Sequence, residues 1–352
     1  MKYSFKIGRR LVGCGAPCFV ILEVGQAHDG SLGLAHQFID AAAEIGADAV
    51  KFQTHIAAAE STLDEPFRVK FSRQDETRYA YWRRMEFTAE QWAGLASHCA
   101  EKKLLFLSSA FSVEAVTLLA RIGMPAWKIA SGELGSRAVL EAMKATGAPF
   151  LVSSGMSRWA ELDELVIELR DAGPGLAILQ CTTRYPTPLE QVGLNVIAEM
   201  RARFACPVGL SDHSGTPFPA MAAIARGADV IEAHLTLDRR MFGPDVSSSL
   251  TVAEFGNLVA FRDALARIDA HPVDKDAMAQ ELAPMRAMFR RSLAPVRALA
   301  CGTVLEAGML TAKKPSTGIP ETRLTDVLGR RLARDVVPER LLRWEDLEGS
   351  HG

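Results

Sequence analysis

The chain has 352 residues, of which 48% are hydrophobic and 23% are charged, a composition typical of a globular protein. Its formal net charge is -2 and it carries no block of like charge, so nucleic acid and anionic membranes are not expected as partners, because both bind clustered basic faces. No apolar run approaches the roughly 18 residues of a membrane span, and residues 1–10 lead into no apolar signal segment. We therefore expect a cytoplasmic protein.

From residue 19 onward, short apolar runs rich in β-branched residues alternate with stretches whose apolar residues recur every three or four positions. The short runs predict strands, and the longer stretches predict amphipathic helices, several of which end at a glycine. Eight strands are predicted, at 19–25, 49–54, 104–110, 126–131, 150–155, 176–182, 206–212 and 230–236.

Eight strands alternating with helices over about 250 residues indicate an α/β protein with a parallel (β/α)8 barrel, the TIM-barrel fold. A doubly wound open sheet is the alternative. The turn after the first predicted strand reads GQAHDGS, which lacks the glycine fingerprint that often follows the first strand of such a sheet. The barrel is therefore the favoured fold.

Two segments interrupt the regular alternation. Residues 56–86 are long and polar and predict an insertion after the second strand that shapes the barrel mouth. The barrel is predicted to span 1–269, followed by a polar, proline-containing linker at 270–288. Short strand-like runs separated by turns fill 289–352, which predicts a second domain that can bury only a small core by itself.

Polar and charged residues stand at the carboxyl end of all eight predicted strands. The strands of a parallel barrel are buried on both faces, and barrel active sites lie at the carboxyl ends, so these residues are informative. Structural ion pairs would explain one or two of them, but a complete ring indicates a site. The ring consists of Glu23, Lys51, Gln53, Ser108, Ser109, Lys128, Ser131, Glu133, Ser153, Ser154, Gln180, Thr182, Thr183, Asp212, His213, Glu232 and His234.

Two histidines of this ring, His213 and His234, follow neighbouring strands, so their imidazoles can converge on one ion. Together with a nearby carboxylate, from Glu23, Asp212 or Glu232, they suit a divalent metal with open coordination positions, Mn2+ in the first place and Mg2+ or Co2+ as alternatives. Either histidine alone would be interpreted as a hydrogen-bonded core residue, but the pair at matched depth favours a metal site.

Two lysines of the ring, Lys51 and Lys128, are expected to point into the same mouth, with Ser109, Ser131 and Ser153 among them. Two ammonium groups and several hydroxyls form a site for a multiply charged anion, such as a phosphate ester that also bears a carboxylate. The alternative is that the lysines serve only to pair with glutamates of the ring.

These residues lie in motifs that resemble those of the sialic acid synthases. The motifs occur in order along nearly the whole chain: EVGxxHDGS at 23–31, VKFQTH at 50–55, KIASGE at 128–133, SSGM at 153–156, CTxxYPTP at 181–188, GLSDHS at 209–214 and EAHLTLD…GPD at 232–245. Near the end, FRRSLAPVRALACGTVL and AKKPSTG are similar to the C-terminal antifreeze-like (SAF) domain of that family. The resemblance is specific for the family and less specific for the sugar.

The resemblance implies a transferase that joins phosphoenolpyruvate to N-acetylmannosamine or a related amino-sugar aldehyde and releases phosphate. It implies that a divalent metal is held by His213 and His234, and that water is activated by Glu23 or Glu133. Phosphoenolpyruvate would be held by Lys51, Ser109, Lys128, Ser131 and Ser153. The sugar would be faced by Gln53, Tyr185, Asp245 and Lys314. A domain-swapped homodimer is also implied, in which the SAF domain of one subunit closes the barrel of the other.

The chain departs from the family pattern at three places. Ala27 stands where the family usually has asparagine, and Thr183 stands where asparagine or serine is common, next to the bulky Arg184. Lys314 stands where the family has an arginine that contacts the N-acyl end of the sugar in the partner's barrel. Lysine lacks the planar fork of a guanidinium, so this contact is either weaker or made to a different sugar.

The sequence therefore predicts a sugar acceptor but does not decide between several sugars. The precursors of legionaminic or pseudaminic acid and non-acetylated mannose are alternatives to N-acetylmannosamine. A further alternative is another phosphoenolpyruvate-dependent aldol synthase that uses a sugar phosphate. Such an enzyme would need an additional basic cluster for the phosphate of the sugar and would not need the SAF domain.

Overall fold

The computed structural model describes residues 3–13 and 15–349. The chain divides into two compact units, Met1–Ala270 and His271–Gly352. The first contains the predicted (β/α)8 barrel, and the second contains the predicted domain of short strands. Across the described ranges, no helix combines the length and the hydropathy of a bilayer span.

An antiparallel hairpin of β1 (Ser4–Ile7) and β2 (Arg10–Gly13) precedes the barrel. Its buried side chains are Phe5, Ile7 and Val12. They form a cluster with inward-facing residues toward the amino ends of the barrel strands, namely Phe19, Ile21, Ala49, Leu107, Ala126, Leu151, Ala177, Leu179 and Val230. The hairpin therefore fills the amino end of the barrel, opposite the carboxyl ends at which barrel sites lie.

Eight parallel strands form the nearly closed barrel, and the prediction of this fold is confirmed. They are β3 (Phe19–Gly25), β4 (Ala49–Thr54), β5 (Leu105–Ala110), β6 (Trp127–Ile129), β7 (Phe150–Ser153), β8 (Leu176–Cys181), β9 (Val208–Asp212) and β10 (Val230–Thr236). Their spatial order is β5-β4-β3-β10-β9-β8-β7-β6, with β5 and β6 side by side. The short strand β11 (Leu250–Thr251) extends the sheet beside β10.

Helices surround the barrel, and all but α2 and α3 pack their apolar faces on it. They are α1 (Leu32–Ile45), α2 (Ala57–Glu60), α3 (Arg78–Met85), α4 (Ala89–Glu101), α5 (Val113–Ile122), α6 (Arg137–Lys144), α7 (Trp159–Arg170), α8 (Leu194–Phe204), α9 (Phe218–Ala225) and α10 (Val252–Asp269). Several begin at a side-chain cap such as Ser31 or Thr88, and α1 and α5 end at Gly46 and Gly123 in the left-handed conformation.

The insertion at 56–86 contains α2 and α3 and has a small core of its own. Tyr81 and Trp82 are buried there, with Phe71 packed against them. Arg84 of α3 donates to Asp75 within the insertion and lies 2.7 Å from Asp29 in the loop after β3. These contacts hold the insertion against the carboxyl end of the barrel.

A buried ion pair joins the start of the barrel to its last helix. Asp48 Oδ2 accepts from the Val20 amide at 2.8 Å and lies 2.7 Å from Arg262 Nη1 of α10. Replacing Asp48 with alanine removes the buried carboxylate of this pair and leaves Arg262 only the exposed carboxylate of Asp263. We expect a loss of about 3 kcal/mol in the free energy of unfolding, the lower end of the cost of breaking a buried ion pair. Urea unfolding followed by circular dichroism measures this loss.

The matched control is the exposed pair of Asp163 and Arg203, whose side chains are 38% and 45% exposed. Asp163→Ala is expected to cost less than about 1 kcal/mol, because solvent screens this pair. Equal losses at Asp48 and Asp163 would contradict the structural role of the buried pair.

The second unit begins with two short helices, α11 (Lys275–Glu281) and α12 (Ala283–Phe289). They occupy most of the segment that the sequence predicts to be a linker. Asp274 caps the first of them, because its side chain accepts from the amides of Asp276 and Ala277. An antiparallel ladder of β12 (Ser292–Pro295) and β13 (Leu310–Lys313) follows, and then the single-turn helix α13 (Leu324–Val327). The unit has its own core, built on Leu293, Leu299, Leu305, Ile319, Val327, Leu332, Val336, Leu342 and Leu347.

Candidate active site

A cavity of about 190 Å³ opens at the carboxyl ends of the barrel strands. Twelve of the residues predicted for the site line it: Glu23, Lys51, Gln53, Ser109, Lys128, Ser131, Ser153, Thr183, Tyr185, His213, Glu232 and His234. A larger groove of about 900 Å³ lies on the outside of the barrel between α4 and α5, and none of the predicted site residues lines it. The chemistry-bearing side chains therefore converge at the smaller cavity.

Two lysines and two glutamates form a buried charge cluster in the cavity wall. Lys51 Nζ lies 2.8 Å from Glu23 Oε2 and 4.0 Å from Glu232 Oε2. Lys128 Nζ lies 3.5 Å from Glu232 Oε1 and donates to Ser153 Oγ at 2.7 Å. The lysines thus pair with glutamates and face the cavity at the same time, so pairing does not prevent them from meeting an anion.

Burial and the neighbouring charges shift the pKa values in this cluster. Burial acts to lower the pKa of Lys51, but Glu23 and Glu232 outweigh it and raise the pKa above its ordinary value. Burial lowers the pKa of Lys128. Burial raises the pKa of Glu23, whereas the two lysines outweigh burial at Glu232 and bring its pKa to about 2. Glu232 is therefore a permanent anion, and Glu23 is the carboxyl group whose pKa moves toward neutral pH.

The two predicted metal-binding histidines lie side by side. His213 follows β9 and His234 lies on β10, and their ring centroids are 5.3 Å apart. Gly25 packs against His234: its φ is 54°, and a Cβ there would lie 3.1 Å from Cε1 of the imidazole. The Tyr185 hydroxyl lies 2.9 Å from Nε2 of His213. Burial and His234 hold the pKa of His213 well below its ordinary value, so this imidazole is neutral and able to ligate a metal.

The donor set fits a metal that is held by few protein ligands. Within residues 3–13 and 15–349, no group of three or more His, Cys, Asp or Glu side chains is arranged to hold an ion. The pair of buried imidazoles supplies two nitrogen donors. Nearby in the same wall, Glu232 Oε2 accepts no hydrogen bond from the described residues. A divalent ion bound here would keep positions open for substrate and water.

Strand alternation decides which polar residues reach the cavity, because successive side chains point to opposite faces. Ser109 lines the cavity, whereas Ser108 Oγ lies 2.8 Å from Thr54 Oγ1. His213 lines it, whereas the preceding Asp212 accepts from the backbone and the hydroxyl of Ser214. The members of the predicted ring outside the cavity are Ser108, Glu133, Ser154, Gln180, Thr182 and Asp212.

Three residues to which the resemblance assigns a role do not line the cavity. Glu133 lies beyond the end of β6, where its carboxylate accepts from Ser136 Oγ at 2.6 Å and burial raises its pKa. Asp245 Oδ1 lies 3.3 Å from Arg68 Nη2. Lys314 belongs to the second unit, and its Nζ lies 5.0 Å from the centroid of the Phe289 ring.

Several residues of the site were not predicted. Arg68 of the insertion stacks over the Tyr185 ring at 4.1 Å, although the two are far apart in sequence. Ser211, Cys181 and Phe111 line the cavity. For Ser211 the period of two provides a signal, because it lies on β9 two positions before His213.

The three departures from the family pattern differ in their relation to the cavity. Thr183 lines it, and its buried Oγ1 has no hydrogen-bond partner among the described residues. Arg184 is exposed and does not line the cavity. Ala27 packs into the main hydrophobic core. Thr183 is thus the departure in the barrel that is placed to contact a ligand.

Known proteins agree with the resemblance. Residues 38–270 match the NeuB family, and residues 290–348 match the SAF domain. Human N-acetylneuraminate-9-phosphate synthase is 32% identical, over 97% of this chain and 96% of its own. The N,N'-diacetyllegionaminic acid synthase of Campylobacter jejuni is 30% identical, over 92% of this chain and 98% of its own.

This chain is also similar to a crystal structure of a sialic acid synthetase. The N-acetylneuraminic acid (sialic acid) synthetase of Leptospira borgpetersenii is 29% identical and superposes with a TM-score of 0.70, covering 81% of this chain and 97% of that one. The fold, the ring of polar residues and the relatives agree along the chain. The chain therefore belongs to the NeuB family, whose named relatives are sialic-acid-type synthases, and it carries a C-terminal SAF domain.

Proposed function

We propose that this protein condenses phosphoenolpyruvate with an unphosphorylated amino-sugar aldehyde, N-acetylmannosamine or a relative, to give a nine-carbon 2-keto acid and phosphate. The observation that carries the proposal is the juxtaposition of Lys51 and Lys128 with His213 and His234 in one cavity. Buried ammonium groups suit a phosphate ester that bears a carboxylate, and an imidazole pair suits a metal that activates an aldehyde.

The lysines and serines bind and orient phosphoenolpyruvate in this mechanism. Lys51 and Lys128 meet its negative charges, and hydroxyls such as that of Ser153 donate to its oxygens. Their fixed positions on β4, β6 and β7 hold C3 of phosphoenolpyruvate in attack geometry at the aldehyde carbon. A divalent ion held by His213 and His234 would polarise the aldehyde and stabilise the negative charge that develops on its oxygen.

Glu23 moves the proton in the second half of the reaction. The new carbon–carbon bond leaves positive charge at C2, where water adds while Glu23 accepts its proton. The bond between C2 and the phosphate oxygen then breaks and its electron pair leaves with phosphate. The hydroxyl at C2 releases its proton to become the ketone, and the new alkoxide takes up a proton. The raised pKa of Glu23 and its place in the cavity wall support this role, whereas Glu133 lies outside the cavity.

A diacetamido sugar, as in legionaminate or pseudaminate synthesis, is the second candidate acceptor. Lys314 in place of arginine leaves this acceptor open, since this side chain would reach the N-acyl end of the sugar from the SAF domain of the other subunit in a domain-swapped dimer. A sugar phosphate would need a further cation. Among the described residues, the cation beside Tyr185 at the mouth is Arg68, which is already paired with Asp245.

The test is phosphate release from phosphoenolpyruvate by the full chain with Mn2+ and a panel of acceptors, with product masses measured by mass spectrometry. The panel holds N-acetylmannosamine, two 2,4-diacetamido-trideoxy hexoses, mannose, and five- and six-carbon sugar phosphates. We expect a nine-carbon keto acid from one unphosphorylated amino sugar. Turnover only with a sugar phosphate would overturn the proposal that the acceptor is unphosphorylated. No turnover with any acceptor would overturn the proposed reaction.

A further inference from the structure

A chain of polar contacts leads from Glu23 to the insertion at 56–86. Gln53 Nε2 donates to Glu23 Oε1 at 2.8 Å. Gln53 Oε1 accepts from Gln26 Nε2 at 2.9 Å and lies 3.4 Å from His55 Nε2. On the other side of its ring, His55 Nδ1 contacts the Glu60 carboxylate of α2. The proposed base is thus connected to the insertion through two side chains.

The orientation of Gln53 determines where the protons of His55 lie. Glu23 accepts from the amide nitrogen of Gln53, so the amide oxygen faces His55. An amide oxygen only accepts hydrogen bonds, so His55 Nε2 must carry a proton to bind it. The Glu60 carboxylate likewise requires a proton on Nδ1. Both ring nitrogens of His55 thus face acceptors, which is the arrangement that an imidazolium with a proton on each nitrogen satisfies.

Two aromatic rings hold His55 between them. The Trp82 ring stacks on one face, with centroids 3.8 Å apart and planes 15° apart, and the Phe111 ring stacks on the other at 4.3 Å and 9°. The indole is fixed in turn by its hydrogen bond to Glu65 at 3.1 Å. Aromatic faces carry negative potential, so this arrangement stabilises a cation and prevents the imidazole from turning.

Three titratable groups face His55. Glu60 contacts it directly, from α2. Glu133 lies beyond β6, and its pKa is raised by burial and by Glu60 and lowered by His55. His28 follows β3, and its pKa falls to about 3, through burial first and His55 second, so that it is neutral at pH 7. Of these three groups, Glu60 is the one that contacts a ring nitrogen of His55.

We propose that His55 is a positioning residue: as an imidazolium paired with Glu60, it fixes the amide of Gln53, which keeps Glu23 aimed into the cavity. The inference rests on the role proposed for Glu23. His55 does not line the cavity, and the groups that hold phosphoenolpyruvate are untouched by its loss. A change at His55 therefore lowers kcat and leaves the KM for phosphoenolpyruvate nearly constant.

The kinetic test uses His55→Phe, which retains a ring between Trp82 and Phe111 but removes both hydrogen bonds. We expect kcat to fall about 10-fold, with the KM for phosphoenolpyruvate within about 2-fold of the unaltered enzyme. If His55 acts through Gln53, His55→Phe causes no further loss in a Gln53→Ala background. The same change at His98, on the outer helix α4, leaves kcat unchanged. An unchanged kcat in His55→Phe, or multiplying losses in the double variant, would overturn the proposal.

A spectroscopic test does not depend on turnover. Nitrogen NMR of the full chain with labelled histidine reports the protonation of each imidazole nitrogen, and the His55 signals are those missing in His55→Phe. We expect both nitrogens of His55 to be protonated at pH 7, and one of them to lose its proton in Glu60→Gln, which keeps the packing. A neutral His55 at pH 7 would overturn the proposal even if no acceptor sugar is turned over, whereas an imidazolium in a protein without this activity would overturn only the proposed reaction.

Discussion

Replacing Lys128 with methionine is expected to lower kcat/KM for phosphoenolpyruvate by about 1000-fold, within the 2–5 kcal/mol or more typical of a buried charged contact. The ammonium group lies in the cavity wall, where it donates to Ser153 Oγ at 2.7 Å. Burial lowers its pKa, because desolvation disfavours the charge, and an anionic ligand would stabilise the charged form. Methionine fills the same space without the charge. Phosphate release at varied phosphoenolpyruvate concentration measures the effect.

The control for this change is Lys144→Met on the outer helix α6, where the lysine pairs with Glu141 and Glu168 on the surface of the barrel. This variant is expected to keep the kcat/KM of the unaltered enzyme. Thermal unfolding shows whether the Lys128 variant still folds. We expect it to fold, because the buried Glu232 carboxylate still has the Lys51 ammonium group 4.0 Å away. A folded Lys128→Met variant with unchanged kcat/KM would contradict an anion site at this lysine.

Replacing both His213 and His234 with alanine is expected to abolish the stabilisation of the protein by Mn2+ and to lower kcat by at least about 1000-fold, because a Lewis acid contributes several kcal/mol to such a reaction. A ligand that binds the native state raises the Tm by mass action, so Mn2+ should raise the Tm of the unaltered protein and leave that of the double variant unchanged. Differential scanning calorimetry with and without Mn2+ measures binding independently of turnover.

His36→Ala on the outer helix α1 serves as the control, because it removes an imidazole whose ring contacts His98 away from the cavity. It should keep the full shift in Tm on addition of Mn2+. A double variant of His213 and His234 that still gains stability from Mn2+ would place the metal elsewhere in the protein.

The barrel could be predicted from the sequence because each strand and helix carries a strong local signal. β-Branched runs such as 19–25 and 230–236 are buried on both faces, and the helices between them have caps such as Ser31 and Gly46. The hairpin of β1 and β2 was not predicted, since two strands of four residues carry too short an alternation to separate from a loop.

The lining of the cavity was predictable where strands are long and the period of two is clear, as for Lys51 with Gln53 and Glu232 with His234. Its position after a strand predicts that Glu133 lies in the site, but β6 ends at Ile129 and the chain turns before it reaches Glu133. The contact between Arg68 and Asp245 joins residues separated by 177 positions, and no local pattern in the sequence encodes such a pairing.

The charge cluster in the cavity wall links the binding of an anion to the binding of a divalent cation in the same site. Lys51, Lys128, Glu23 and Glu232 sum to zero when all four are ionised, so the wall offers no excess positive charge to a trianion. A trianion that enters must bring a proton or a divalent cation with it, because uncompensated charge in a buried site is costly. The affinities for the anion and for the cation are then thermodynamically linked, and each ligand tightens the binding of the other by the same factor.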